Sequence, residues 1–198
     1  MALQFSTAVR NARLDAIETT IGVSPTLEIR TGAAPANAGA ADSGTVLATM
    51  ALPADFMAAA ASGAKAIAGT WQDASADAAG TAGHFRIKQG ATTHIQGSCG
   101  SAIPLTTNAL TAANSNVLNF ASTTGVAVGQ MISGTGIPAG AQVLAVTATT
   151  VTMSLASTAG VANGASITFS GDMTLDNTSI AAGQQVTVTA FTINEANA

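Results

Sequence analysis

The spacing of apolar residues changes near Pro25, and that change sets the order of the first elements. Val9, Ala12 and Ala16, with Leu14, Ile17 and Ile21, recur at three- and four-residue intervals, which predicts an N-terminal helix with an inward stripe. Ser6 stands where an N-cap belongs, Arg10, Arg13 and Glu18 lie largely off the stripe, and Gly22 supplies the stop. Pro25 breaks the helix. Thr26-Leu27-Glu28-Ile29-Arg30 then alternates apolar with polar or charged residues, the signature of a half-buried strand.

Residues 32–44 are Ala, Gly, Pro and Asn with a single Ser and a single Asp and read as a loop. Residues 45–52 predict a second strand, residues 53–61 a short Ala-rich helix with Pro53 in its first turn, and residues 65–71 a further strand. A polar loop over 72–83 leads to a strand at 84–88, which Gly90 turns into a hairpin with Thr93-His94-Ile95-Gln96. Strand parity puts His84, Arg86 and Lys88 together on the outer face of that hairpin, opposite Phe85 and Ile87.

Punctuation then changes. Short β-favouring runs at 117–120, 142–146, 150–155 and 166–169 are separated by Gly-rich turns. Phe120-Ala121-Ser122-Thr123-Thr124-Gly125-Val126-Ala127-Val128-Gly129 matches Leu155-Ala156-Ser157-Thr158-Ala159-Gly160-Val161-Ala162-Asn163-Gly164 at an offset of 35 residues. One duplication is too little for a solenoid, so two similar β-arches forming a small sandwich or barrel are expected. Residues 185–194 (QVTVTAFTIN) alternate cleanly and form a final strand.

Charge sharpens this division. Residues 89–171 contain no Asp, Glu, Lys or Arg, and the whole chain of 198 residues carries only 8% charged residues. Thr, Ser, Asn, Gln and Gly interrupt every apolar stretch there, so the segment is not a membrane span but one kept wet by hydroxyls and amides. Near-zero local charge favours association, which suits a protein packed in many copies. The net charge of −4 leaves no basic stripe for nucleic acid, and aromatics total only 4%. The lone Cys99 excludes an intrachain disulfide. Arg10, Arg13, Asp15 and Glu18 break up any apolar leader, so a protein made and kept in a cytoplasm is expected, unless it leaves by lysis or by a C-terminal export route.

The opening Met1-Ala2-Leu3-Gln4-Phe5-Ser6-Thr7-Ala8-Val9-Arg10-Asn11-Ala12-Arg13-Leu14-Asp15 resembles the start of small virion structural proteins of tailed bacteriophages and prophages. So do Ser43-Gly44-Thr45-Val46-Leu47-Ala48, Gly69-Thr70-Trp71-Gln72-Asp73, Gly83-His84-Phe85-Arg86-Ile87 and the stretch beginning Gly171-Asp172-Met173-Thr174-Leu175. Met131-Ile132-Ser133-Gly134-Thr135-Gly136-Ile137-Pro138-Ala139-Gly140 is similar to the Thr/Gly-rich β modules of phage fibres and decoration proteins. In similar chains the hairpin near His94 passes almost directly into the strand at Asp172. The resemblance therefore implies a base domain, 1–100 plus 171–198, interrupted by an inserted β module, 101–170. It implies a head-decoration or head-fibre protein in the virion, assembled in a host bacterial cytoplasm. The expected partners are the major capsid protein or other virion proteins, and further copies of itself, trimers being common in that setting. A tail tube or fibre component is the nearest rival.

Candidate chemistry is sparse. His84, His94 and Cys99 have soft-metal character but not the paired spacing of a zinc site. Asp73 with Asp77, and Asp172 with Asp176, are pairs four apart, too few oxygens for calcium, and turn or capping duty is the simpler assignment. Trp71 is the one large platform for a sugar and reads as core. Gly134-Thr135-Gly136 lacks the following helix that a phosphate cradle needs. The expectation is a mainly β fold: an N-terminal helix with an antiparallel sheet or sandwich domain and a small inserted sandwich or barrel. It is expected to be no enzyme, with no catalytic, cofactor or metal residue, and to bind neither nucleic acid nor membrane. A bacterial surface carbohydrate-binding module is the reading from another class. It would need an aromatic groove and an export signal.

Overall fold

A computed structural model describes residues 4–195. The N-terminal helix forms as its caps dictate. In α1 (Thr7–Ile21) the Ser6 hydroxyl accepts the Val9 amide, and Gly22, at φ 91°, returns its N–H to the Glu18 carbonyl at 2.9 Å. Only Leu14 and Ile21 are buried on it. Val9, Ala12 and Ala16, expected on the inward stripe, are exposed, and the helix packs on the core through Ile17 and Ile21.

The strands are β1 (Thr26–Thr31), β2 (Val46–Ala51), β3 (Ala64–Ala66), β4 (Gln72–Asp73), β5 (Gly80–Gln89) and β6 (Thr92–Gly100). They continue with β7 (Ile103–Thr106), β8 (Val117–Asn119), β9 (Met131–Ser133), β10 (Val143–Val146) and β11 (Thr150–Met153). The last four are β12 (Ser166–Ser170), β13 (Met173–Leu175), β14 (Ser179–Ile180) and β15 (Val186–Asn194). Among the described residues the fold is mainly β, one helix with curled antiparallel and mixed sheets. It divides into two compact units, Met1–Ser101 with Asp172–Ala198, and Ala102–Gly171.

The first unit carries a sheet in the order β2-β1-β5-β6-β13-β15-β3, with β4 added to β15 and β14 to β5. Leu27 and Ile29 of β1 and Phe85 and Ile87 of β5 point into one core. Trp71 lies inside it between Phe56 and Phe191, at centroid distances of 6.1 and 5.8 Å, and its indole N–H is satisfied by the Phe56 carbonyl. The edge strand β2 is not left bare: Leu47 O accepts the amides of Asp77 and Ala78, and Thr49 N–H donates to Asp73 Oδ2. The last residues of β6 run parallel to the first of β13, Cys99 opposite Met173. Asp172 Oδ2 fixes this start by accepting both the amide and the hydroxyl of Ser98 at 2.8 Å.

Three expected segments differ. Residues 53–61 form no helix. The amides that a helix would use internally are taken elsewhere: Met57 N–H by Glu18, Ala60 N–H by Asp15, and Ala58 N–H by the Ala66 carbonyl. The strand expected over 65–71 is confined to β3 and a bridge at Ile67, and the expected loop at 72–83 contains β4 and the first residues of β5.

The second unit has two three-stranded sheets, β10-β11-β8 and β7-β12-β9, closed over one core that includes Leu118, Phe120, Ile132, Val151, Met153, Ile167 and Phe169. Its repeats have a structural counterpart. One runs from β8 through an arch into β9, the other from β11 through an arch into β12, each crossing from one sheet to the other. β8 lies antiparallel to β11 with Val117 facing Thr152, and β9 lies antiparallel to β12 with Ser133 facing Thr168. Both facing pairs are separated by the repeat offset of 35, so repeat-equivalent residues meet each other and a local two-fold axis passes between them. Each arch is held by a buried hydroxyl: Thr123 Oγ1 donates to the Thr147 carbonyl, and Ser157 Oγ to the Ala112 carbonyl.

Candidate functional site

The alternation that turns Leu27, Ile29, Phe85 and Ile87 inward puts Glu28, Arg30, His84, Arg86 and Lys88 on the other face of β1 and β5. Across the strands Glu28 faces Arg86, Arg30 faces His84, and Arg86 in turn faces Gln96 of β6. The sequence pattern makes this the outer face of a hairpin. The structure corrects that: His84 is 0% and Arg86 1% exposed, because residues 32–44 fold back across the polar face.

The covering loop has few side chains and offers its carbonyls instead. Arg86 donates to the carbonyls of Ala38 and Ala40, Arg30 to those of Ser43 and Gly44, and Gln96 to that of Pro35. His84 Nδ1 lies 3.0 Å from the Gly32 carbonyl. Asp42 is the loop's one charged contribution, pairing with Lys88 at 2.6 Å, Arg86 at 2.6 Å and Arg30 at 3.1 Å. Glu28 supplies the second carboxylate, to Arg30 at 2.8 Å and Lys88 at 3.3 Å. The Lys88 hydrogen bond holds the Asp42 carboxyl below its ordinary range, against the opposing effect of burial and with help from the charges of Arg30, Lys88 and Arg86. The cluster sets three cations against two carboxylates, and fixed donors on it meet fixed carbonyls. Beside it, residues 38–42 and 91–93 line a cavity of about 380 Å³. His84 Nε2, Arg86 Nε and Gln96 Oε1 are buried without a protein partner beneath the loop.

A second cluster joins α1 to β3. Lys65, 2% exposed, reaches Asp15 at 2.8 Å, Glu18 at 3.0 Å and the Ala58 carbonyl at 2.9 Å. Burial pulls the ammonium's pKa down, but hydrogen bonds to Asp15 and Glu18 outweigh it and the net shift is upward. The hydrogen bond from Lys65 lowers Asp15 correspondingly. Arg10 and Arg13 of the same helix engage the carbonyl and carboxylate of Glu195.

The remaining candidates separate. His94 lines a groove of about 290 Å³ between α1 and β6 with Arg13, Ile17, Ile21 and Ile95. Cys99 is half-buried at the end of β6, its thiol pushed well above its ordinary value by burial and then by Asp172. Asp73 caps Thr49 and Ser75, Asp77 takes the Thr49 hydroxyl, and Asp176 takes the amides of Asn177 and Thr187. Among the described residues no three of His, Cys, Asp and Glu gather as a metal ion would need, and no helix is long and apolar enough to cross a membrane. Sequence reasoning passed over Asp42 and Lys65. The available signal for Asp42 was its standing alone in a neutral loop beside strands richer in cations than in acids. Comparison with protein families, with curated proteins and with solved structures finds no match for the chain in any of the three.

Proposed function

We propose that this chain is a non-enzymatic structural protein of a bacteriophage virion, binding the capsid shell as a decoration or head-fibre protein in many copies. The observation that carries the reading is the division of charge between the units. All ten acids and six bases lie outside Ala102–Gly171, which closes its own core beneath a surface without charged side chains. A neutral unit repeats at close quarters without like-charge repulsion.

The first unit supports the same reading. All six Lys and Arg side chains are engaged with protein carboxylates or carbonyls, which leaves no cationic stripe to neutralise a phosphate backbone. Its buried ionic clusters fix a loop and a helix. The two units fit the roles of a base docked to the shell protein and a neutral appendage. The test is gold-tagged antibody against this chain on intact particles of a phage, or induced prophage, that encodes it. Gold spread regularly over heads is the expected result. Gold confined to tails would replace the capsid role with a tube or fibre role, and unlabelled particles would overturn the virion reading.

A further inference from the structure

The surface of the charge-free unit is not uniformly polar. Leu144 and Val117, on the two outer strands of the sheet β10-β11-β8, are 57% and 37% exposed, and Leu110, in the segment leading into β8, is 71% exposed. Pairing places Ala145, Thr152 and Val117 in a single row across that sheet. Their strand neighbours Leu118, Val151 and Met153 point the other way, into the core. Leu144 sits beside Ala145 at the bulge of β10, where both are exposed. Leu110 precedes Thr111, whose buried hydroxyl donates to the Val117 carbonyl.

We propose that this outer face is a self-association surface and that its occupant is the same face of a second copy of this chain. Charge selects the occupant. With no Asp, Glu, Lys or Arg in residues 89–171, the face has nothing to pair with a phosphate or a charged protein, whose charges would be desolvated without compensation. A surface equally free of charge has no such penalty, and another copy of the unit supplies one. Symmetry points the same way. Val117 and Thr152, neighbours in the row, are a repeat-equivalent pair, so the local two-fold axis passes through this face. An isologous contact joins the same patch on both copies about such an axis. Two such sheets stack face to face at a spacing of about 10 Å, which apolar side chains from both sides fill.

The inference rests on the many-copy part of the proposed function and not on the chain's place on a particle, so particle labelling and the following experiment fail separately. Sedimentation of the full chain over a wide concentration range is compared with that of Val117→Lys, which puts like charges at the centre of the face. The wild type is expected to sediment as a dimer or larger, and the variant at half that mass or less with an unchanged thermal transition. In a Cys99→Ser background, Thr152→Cys is expected to cross-link two chains under mild oxidation far faster than Asn163→Cys in an exposed turn. A wild type that stays monomeric throughout, a variant that assembles as the wild type does, or equal cross-linking at the two positions would overturn the proposal. Should Val117→Lys lose its fold, the cysteine comparison decides alone.

Discussion

Asp42 shows how much a single residue in a loop can hold. Its carboxylate touches three cations, two of them on β5 and one on β1, and its loop contributes otherwise only main-chain carbonyls. A carboxyl whose folded-state pKa is depressed contributes its stability above the unfolded value, 3.8, and loses it as pH falls through the folded value. The melting temperature is therefore expected to start falling as pH drops below about 4, with a shallower fall in Asp42→Asn, measured by circular dichroism. Asp42→Ala leaves buried cations short of a partner but removes a side chain that is one-third exposed, so a loss of about 1–2 kcal/mol at neutral pH is expected. Gly83 governs the same loop sterically. A Cβ there would lie 2.1 Å from the Gly32 carbonyl oxygen and 2.8 Å from two further Gly32 backbone atoms. Gly83→Ala is expected to lower stability in denaturant melts by about 1–3 kcal/mol and to speed amide exchange in residues 32–44.

At the scale of elements, α1 is held less by apolar burial than by the acids it offers to residues 57–65. Lys65 is the centre of that contact, and its raised pKa fixes the direction of a second pH dependence. A base with a raised folded-state pKa contributes stability below the unfolded value of 10.5 and loses it as pH climbs through the folded value. Thermal melts of the wild type should weaken at the alkaline end, and Lys65→Met should lack that limb. The arches offer a matched pair of tests. Thr123→Val and Ser157→Ala each remove one buried donor, the two acceptors Thr147 and Ala112 standing at the repeat offset, and each is expected to cost about 1 kcal/mol in urea unfolding. A loss well below that in either variant would show that the hydroxyl there is dispensable to its arch. The helix was readable from the chain because Ser6 and Gly22 are local devices. Residues 53–61 were not, since their amides are claimed by Asp15 and Glu18 from far along the sequence.

For the whole molecule, the decisive geometry is where the chain leaves and rejoins the first unit. β6 ends and β13 begins side by side, and the Ser98–Asp172 bonds belong to that unit alone. Replacing residues 102–171 with a flexible linker of about four Gly or Ser residues, enough to span roughly 10 Å, should leave a cooperatively melting base with Trp71 still buried. Intrinsic fluorescence of Trp71 reads this directly, since the chain has one Trp. Residues 102–171 alone should melt cooperatively on their own core. Loss of structure in both halves would show that neither unit folds alone.

The sequence by itself determined the period of each long element, the mainly β class, the helix caps, the charge-free stretch and the inward set of Leu27, Ile29, Phe85 and Ile87. These follow from local sterics and from the two-residue alternation of a strand, which neighbours in the chain are enough to express. Tertiary structure alone decided that the opposite face, with His84 and Arg86, would be covered as well. An Ala- and Gly-rich loop carries almost no side-chain pattern to announce its destination. Its affinity for the sheet lies in main-chain carbonyls and one carboxylate, groups whose value depends on which donors the fold brings within hydrogen-bonding distance of them.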